Sequence, residues 1–85
     1  MNYEHILLDK AYRKSRKFAN ENGFVFLEPS MNNSGCENHD GKEYVVLRNN
    51  YKVLSVWLVG NEDKLSLVDY EDYPESLQEE LSVYA

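Results

Sequence analysis

The chain has 85 residues, a net charge of −6 and a single cysteine, and 42% of its residues are hydrophobic. This length suits one domain, residues 1–85, and the apolar content is too high for a disordered tail. The acidic balance disfavours a general nucleic-acid binder, because the affinity of such proteins comes mainly from Lys and Arg that neutralise phosphates. No apolar run approaches the roughly 20 residues that a membrane-spanning helix needs.

The first residues, Met1-Asn2-Tyr3-Glu4-His5, lack the basic start and the apolar run of a secretion signal. Cys36 has no second cysteine with which to form an internal disulfide. Together these features predict a reducing, cytoplasmic location.

The first predicted element is an amphipathic helix over residues 3–22. Small and apolar side chains recur on one face at helical spacing, namely Leu8, Ala11, Tyr12, Ser15, Phe18 and Ala19. Asn2 is placed to cap the start of the helix, and Gly23 is placed to end it in a left-handed conformation.

Four basic side chains gather on the other side of this helix: Lys10, Arg13, Lys14 and Lys17. This basic stripe has two interpretations. It is either a phosphate-binding surface or a solvated helix face whose cations pair with acids such as Asp9 and Glu21. The second interpretation is favoured, because it describes most such stripes.

Four segments rich in β-branched and aromatic residues predict strands over 24–28, 43–48, 51–59 and 64–70. The polar stretch from Pro29 to Lys42 separates the first two, and it is predicted as a long loop. Asn49-Asn50 is expected to form the turn between the second and third strands, since Asn tolerates positive φ.

The third strand is apolar on both faces. Alternation places Tyr51, Val53, Trp57 and Val59 on one face and Leu54, Val56 and Leu58 on the other. A strand that is apolar on both faces is expected at the centre of a sheet.

A short second helix is predicted over residues 74–83. Pro74 can begin it, and Leu77, Leu81 and Tyr84 follow at helical spacing. The element order is then α-β-β-β-β-α. It predicts an α+β fold in which the N-terminal helix packs on a four-stranded, mainly antiparallel sheet, most simply a meander.

The segment Cys36-Glu37-Asn38-His39-Asp40 is the only cluster that combines a nucleophile, a base and carboxylates. It could hold a thiolate activated by His39 or part of a metal site. A second pair of ligands is missing, however, and a polar loop orients catalytic groups poorly. A solvated loop is therefore favoured, and we expect no catalytic residue, cofactor or metal.

Carboxylates are concentrated towards the C-terminus, where residues 61–85 carry one basic and eight acidic side chains. Tyrosines interleave with them, a composition common at protein interfaces. The residues predicted to bind a partner are Asp69, Tyr70, Glu71, Asp72, Tyr73, Glu75, Glu79 and Glu80. The alternative is a surface that only keeps the protein soluble.

Four aromatic residues of the predicted sheet, Tyr44, Tyr51, Trp57 and Tyr70, have two interpretations as well. They form either an exposed docking platform or part of the core. Core packing is favoured.

These features predict a non-enzymatic, acidic binding protein that blocks a basic, nucleic-acid-binding surface of a larger protein, by occlusion or by charge mimicry. In size and charge the chain resembles small phage inhibitors of host defence, such as anti-CRISPR proteins, and the immunity proteins of nuclease toxins. The alternative is a homodimeric structural or regulatory interaction module. An enzyme would depend on Cys36 and His39 alone. Neither a membrane nor a nucleic acid is expected as a direct partner.

Overall fold

The computed structural model describes residues 2–83 and begins with helix α1, Tyr3–Asn22. The Asn2 side chain accepts a hydrogen bond from the backbone N–H of His5 at 2.8 Å and so caps the first turn. Gly23 ends the helix with φ 72°, a left-handed conformation that glycine adopts without steric cost. The predicted bounds and both predicted ends of α1 are confirmed.

A four-stranded antiparallel sheet follows, in the order β1-β2-β3-β4. Its strands are β1 Gly35–His39, β2 Lys42–Asn49, β3 Lys52–Val59 and β4 Leu65–Leu67. Helix α2, Glu75–Gln78, comes near the C-terminus. The predicted α+β fold is confirmed, and so are the meander and the central position of β3.

The first strand lies elsewhere than the sequence predicts. Phe24–Glu28 is not a strand, whereas β1 falls inside the 29–42 stretch that was predicted as a loop. The reason is the turn at Asp40-Gly41, where φ is 54° and 78°. Two consecutive positive φ angles make a tight two-residue hairpin, which pairs His39 with Lys42 and draws the polar residues before it into the sheet.

Three other element boundaries in the structure differ from the predicted ones. The turn between β2 and β3 is Asn50-Tyr51, since Asn49 pairs with Lys52, and Asn50 has the positive φ of 55°. The fourth strand keeps only three residues, because the chain enters a 3₁₀ turn at Tyr70–Asp72. Helix α2 has four residues rather than ten.

The C-terminal helix is short because the chain then crosses to β3. Ser82 forms a parallel bridge with Val53, whose N–H donates to the carbonyl of Leu81 at 2.8 Å. This pairing requires extended backbone, so the helix ends and Leu81 is left exposed. Tyr84, predicted on the same helix face, lies outside the described residues.

The predicted division of β3 side chains between the two faces of the sheet is correct only from Val56 onwards, after a β-bulge. The β2–β3 register shifts between Leu47 and Arg48, and Leu54 has no partner on β2. The extra residue reverses the alternation, so Val53 packs with Val56 and not with Trp57, as the sequence pattern predicted. Leu54 accordingly packs on the side of Trp57.

The sheet separates two apolar cores. On one side α1 contributes to the core formed by Leu7, Leu8, Ala11, Val45, Leu47, Trp57 and Leu65. On the other side the C-terminal segment, residues 68–83, covers the core formed by Tyr44, Val46, Val53, Val56, Tyr73 and Leu77. The molecule therefore has three layers: α1, the sheet and the C-terminal segment.

Candidate functional site

The two outer layers carry opposite charge. Residues 2–22 hold five basic and three acidic side chains, whereas the C-terminal segment holds six acidic side chains and no basic one. Because the sheet lies between these layers, the charge imbalance along the sequence becomes a separation across the molecule. The acidic face, as we define it, consists of the exposed side chains of Asp69, Glu71, Asp72, Glu75 and Glu79.

Three of the predicted partner-binding residues have other roles. Tyr73 is only 4% exposed and packs edge-on against the half-buried Tyr70, with 5.2 Å between ring centroids. Glu80 is paired with Arg48. The prediction is therefore wrong for Tyr73, which is a core residue. The Glu80 carboxylate is not an unpaired charge, because it is bonded to Arg48. Burial of these side chains depends on packing across the sheet, which the sequence pattern does not show.

Arg48 ties the C-terminal segment to the sheet. Its Nε and Nη2 donate to the two carboxylate oxygens of Glu80 at 3.0 and 2.9 Å, and its guanidinium also donates to Glu37. Burial alone raises the pKa of Glu37, but hydrogen bonds from Arg48 and His39 outweigh it, and the pKa lies below its ordinary value. The pKa of Arg48 is raised, first by its hydrogen bonds to Glu37.

His39 makes a second link to this segment. Its Nε2 lies 2.9 Å from Glu37 Oε1, and its Nδ1 lies 2.9 Å from the hydroxyl of Ser76 on α2. A shallow depression surrounds this link and is lined by Asn38, His39, Asp40, Glu75, Ser76 and Glu79. Asp40 thus adds a carboxylate beside the acidic face. The β1–β2 hairpin brings it there, and the Asp40-Gly41 pair is the sequence signal that could have predicted this turn.

Ser76, His39 and Glu37 are the residue types of a hydrolytic triad, but their surroundings disfavour acyl transfer. Such chemistry needs hydrogen-bond donors directed at a developing oxyanion. Here the lining of the depression includes the carboxylates of Asp40, Glu75 and Glu79, which repel negative charge. The arrangement is better suited to holding α2 on the sheet.

The predicted Cys36–His39 pair is divided by the sheet. Cys36 packs against the core under α1, while His39 contacts Glu37 and Ser76 on the other side. Burial raises the pKa of the Cys36 thiol to about 11, which removes the thiolate at neutral pH. Within residues 2–83 no group of three or more His, Cys, Asp or Glu side chains is arranged to hold a metal ion.

The basic stripe of α1 is partly engaged within the molecule. Lys10 Nζ donates to the carbonyl of Asp63 at 2.8 Å, and Arg13 pairs with Asp9 at 3.1 Å. Lys14 and Lys17 are exposed. The Asp63 carboxylate accepts from the Tyr3 hydroxyl at 2.7 Å, which raises the Tyr3 pKa to about 12. Asp63 therefore lies beside α1 and is not part of the acidic face.

The aromatic residues of the sheet form no platform. Tyr44 and Trp57 are buried, in the two different cores, and Tyr70 is half-buried. The Trp57 indole N–H donates to the hydroxyls of Ser15 and Ser55, both at 3.1 Å, so its polar atom is satisfied inside the molecule. Of the four, Tyr51 alone is fully on the surface, in the β2–β3 turn.

Comparisons of the chain with protein-family models, with curated proteins and with solved structures give no match. Among the helices of residues 2–83, none has both the length and the apolar character needed to cross a bilayer.

Proposed function

We propose that this protein is a binding protein whose acidic face docks on a basic, nucleic-acid-binding surface of a larger protein and blocks that surface. The observation that carries the proposal is the charge separation across the sheet. Six acidic and no basic side chains lie in the C-terminal segment, and five of the six are exposed on the acidic face. Such a field steers a cationic partner and raises the rate of association.

The way the acidic face is held also supports docking. The C-terminal segment is fixed to the sheet by the buried side chains of Tyr73 and Leu77, by the Arg48–Glu80 pair and by the His39–Ser76 hydrogen bond. A fixed backbone loses little conformational entropy on binding, and acidic side chains carried on it favour a specific partner over diffuse attraction.

The test begins with the partner. The purified protein is used as bait in a lysate of its own cells, and the protein that it retains is identified and purified. We expect a basic, nucleic-acid-binding protein whose binding to nucleic acid is lost when this chain is added. Retention of a partner that has no basic surface would contradict the proposal.

The decisive comparison uses two double charge reversals of equal size. Glu71→Lys with Glu75→Lys changes the acidic face, while the control, Glu21→Lys with Glu62→Lys, changes exposed carboxylates outside the C-terminal segment. Both variants raise the net charge equally. We expect the first to slow association with the purified partner by about tenfold or more at low salt, and the control to change it much less. Equal effects would show that net charge, and not the acidic face, governs binding.

A further inference from the structure

The segment Phe24–Leu27, which follows α1, leaves an apolar surface uncovered. Phe24 is 60% exposed, Val25 85% and Leu27 47%. The surface continues onto α1, since the Phe24 ring lies 6.1 Å from that of Phe18, which is 40% exposed. Val25 and Leu27 also border a small groove that reaches Ala19, Leu47 and Leu54.

The backbone of this segment is uncovered too. No N–H or C=O group of Val25, Phe26 or Leu27 makes a hydrogen bond within residues 2–83. The flanking residues are held, because Phe24 N–H donates to the Ala19 carbonyl at 2.8 Å and the Glu28 carbonyl accepts from Asn49 Nδ2 at 2.8 Å. A segment of β-prone residues is thus fixed at both ends with its backbone groups free, the state that invites pairing with another strand.

We propose that Phe24–Glu28 pairs antiparallel with the same segment of a second copy of the chain. A two-fold axis through Phe26 sets Val25 opposite Leu27 and Phe24 opposite Glu28, so the apolar Val25–Leu27 pair forms twice. Val25 and Leu27 then form the hydrogen-bonded pairs, in which their free N–H and C=O groups meet those of the other copy, and Phe26 forms the non-hydrogen-bonded pair on the axis. The strand that the sequence pattern predicts over 24–28 is formed in the dimer.

The exposed area is of the size that a stable dimer needs. With about 150–250 Å² for a whole aromatic side chain and somewhat less for an aliphatic one, the four exposed residues present roughly 400 Å² of apolar surface per copy. Since about 65% of a homodimer interface is apolar, the roughly 800 Å² of the two copies corresponds to about 1,200 Å² buried in total. Specific, stable interfaces bury about 1,200–2,000 Å².

Both the distribution of charge and the state of the sheet edges favour Phe24–Glu28 over other surfaces as the contact between two copies. Its rings pack on α1, with Phe26 edge-on to Tyr12 at 5.4 Å, so it lies in the layer opposite the acidic face. Glu28, the only charged residue of the segment, accepts the Tyr12 hydroxyl through its carboxylate. At the sheet edges, β4 has only three residues, and Cys36 N–H in β1 is already bonded to the Glu4 carboxylate at 3.0 Å.

The test is sedimentation velocity of the wild type, of Val25→Glu and of the control Ile6→Glu. Ile6 is 50% exposed and lies at the other end of α1. We expect a dimer at about 10 μM for the wild type and the control, and a monomer for Val25→Glu, because the interface would bury an unpaired charge. Circular dichroism melting checks that Val25→Glu remains folded. Because the Val25 side chain is exposed, the substitution should leave the fold intact. A wild type that stays monomeric at ten times that concentration overturns the proposal.

Hydrogen exchange identifies the contact. In a strand-paired dimer, amides within residues 25–27 become protected as the concentration of wild-type protein rises, by about tenfold or more in exchange rate, and they exchange fast in Val25→Glu. A dimer in which residues 35–39 are protected instead would show pairing through the edge of β1. Protection of the segment only on adding a different protein would assign the surface to that protein. Either result rejects the proposal, and neither bears on binding of a basic partner by the acidic face.

Discussion

Arg48 is the residue at which the sheet and the C-terminal segment are joined by charge. Its guanidinium is largely buried and donates to Glu37 of β1 and to Glu80, so it bridges two carboxylates and offsets the repulsion between them. Removing one partner of a buried, hydrogen-bonded ion pair leaves the remaining charges unpaired, which costs more than the net strength of the pair.

Arg48→Met is therefore expected to lower the free energy of unfolding by about 1–3 kcal/mol, as measured by urea denaturation at pH 7. The matched control is Arg13→Met, which removes a surface pair with Asp9 whose side chains are 75% and 58% exposed. The control should change stability by less than about 0.5 kcal/mol, since exposed pairs contribute little. Equal losses in both variants would show that Arg48 has no special role.

Arg48→Met should also change how the free energy of unfolding depends on pH. The pKa of Glu37 is lowered from its ordinary value of 4.5. A carboxyl whose pKa is lower in the folded state stabilises the fold above the unfolded pKa, and this contribution is lost as the pH falls through the folded value. The difference in stability between the wild type and Arg48→Met should be largest above pH 4.5 and shrink below it. A constant difference from pH 7 to pH 3 would contradict the assignment.

At the scale of elements, the β1–β2 hairpin decides which part of the chain enters the sheet. Asp-Gly is among the strongest short-range hairpin signals, and here it joins the strand-prone residues of β2 to the polar, weakly β-prone residues of β1. The pattern of apolar residues favoured Phe24–Glu28 instead. That pattern correctly identifies residues suited to a strand, but it cannot show whether a neighbouring strand is within reach.

Gly41→Ala tests the importance of this turn. Gly41 has φ 78° and no neighbouring atom within 4 Å of an added Cβ, so the cost is conformational alone. We expect a loss of about 1–2 kcal/mol in the free energy of unfolding. The control is Gly60→Ala, where φ is −103° and an added Cβ would meet the Lys64 carbonyl oxygen at an ordinary 3.5 Å. It should change stability by less than about 0.5 kcal/mol. The reverse order of the two losses would rule out a left-handed constraint at Gly41.

At the scale of the whole molecule, the separation of charge acts against folding. The carboxylates of the acidic face have no basic neighbour in their own layer, so they repel one another in the folded state. A surface kept at such a cost is expected where binding depends on it.

Neutralising the acidic face with Glu71→Gln, Asp72→Asn and Glu75→Gln should raise the urea midpoint at low salt. The gain should vanish near 1 M salt, where the screening length is about 3 Å. The control variant, Lys14→Gln with Lys17→Gln, should not raise the midpoint, since it increases the net negative charge. A gain for the triple variant that persists at high salt would point to a cause other than repulsion.

The amino-acid sequence was enough to predict the bounds of α1, the fold class, the central position of β3 and the acidic character of the C-terminal segment. Each of these depends on local information: the 3.6-residue period, the capping residues, an apolar run with turns at both ends, and composition. These local signals were reliable because the packing of the rest of the chain agrees with them.

Tertiary structure alone decided which strand-prone segment is paired, how β3 divides its side chains between the two cores, and which acidic residues stay exposed. A bulge at Leu54 reverses an alternation, Arg48 engages Glu80, and the sheet buries Tyr73 while bringing Asp40 beside Glu75 and Glu79. These outcomes depend on contacts between residues that are distant in the sequence. Such contacts form only when the layers pack together, so a local sequence pattern does not reveal them.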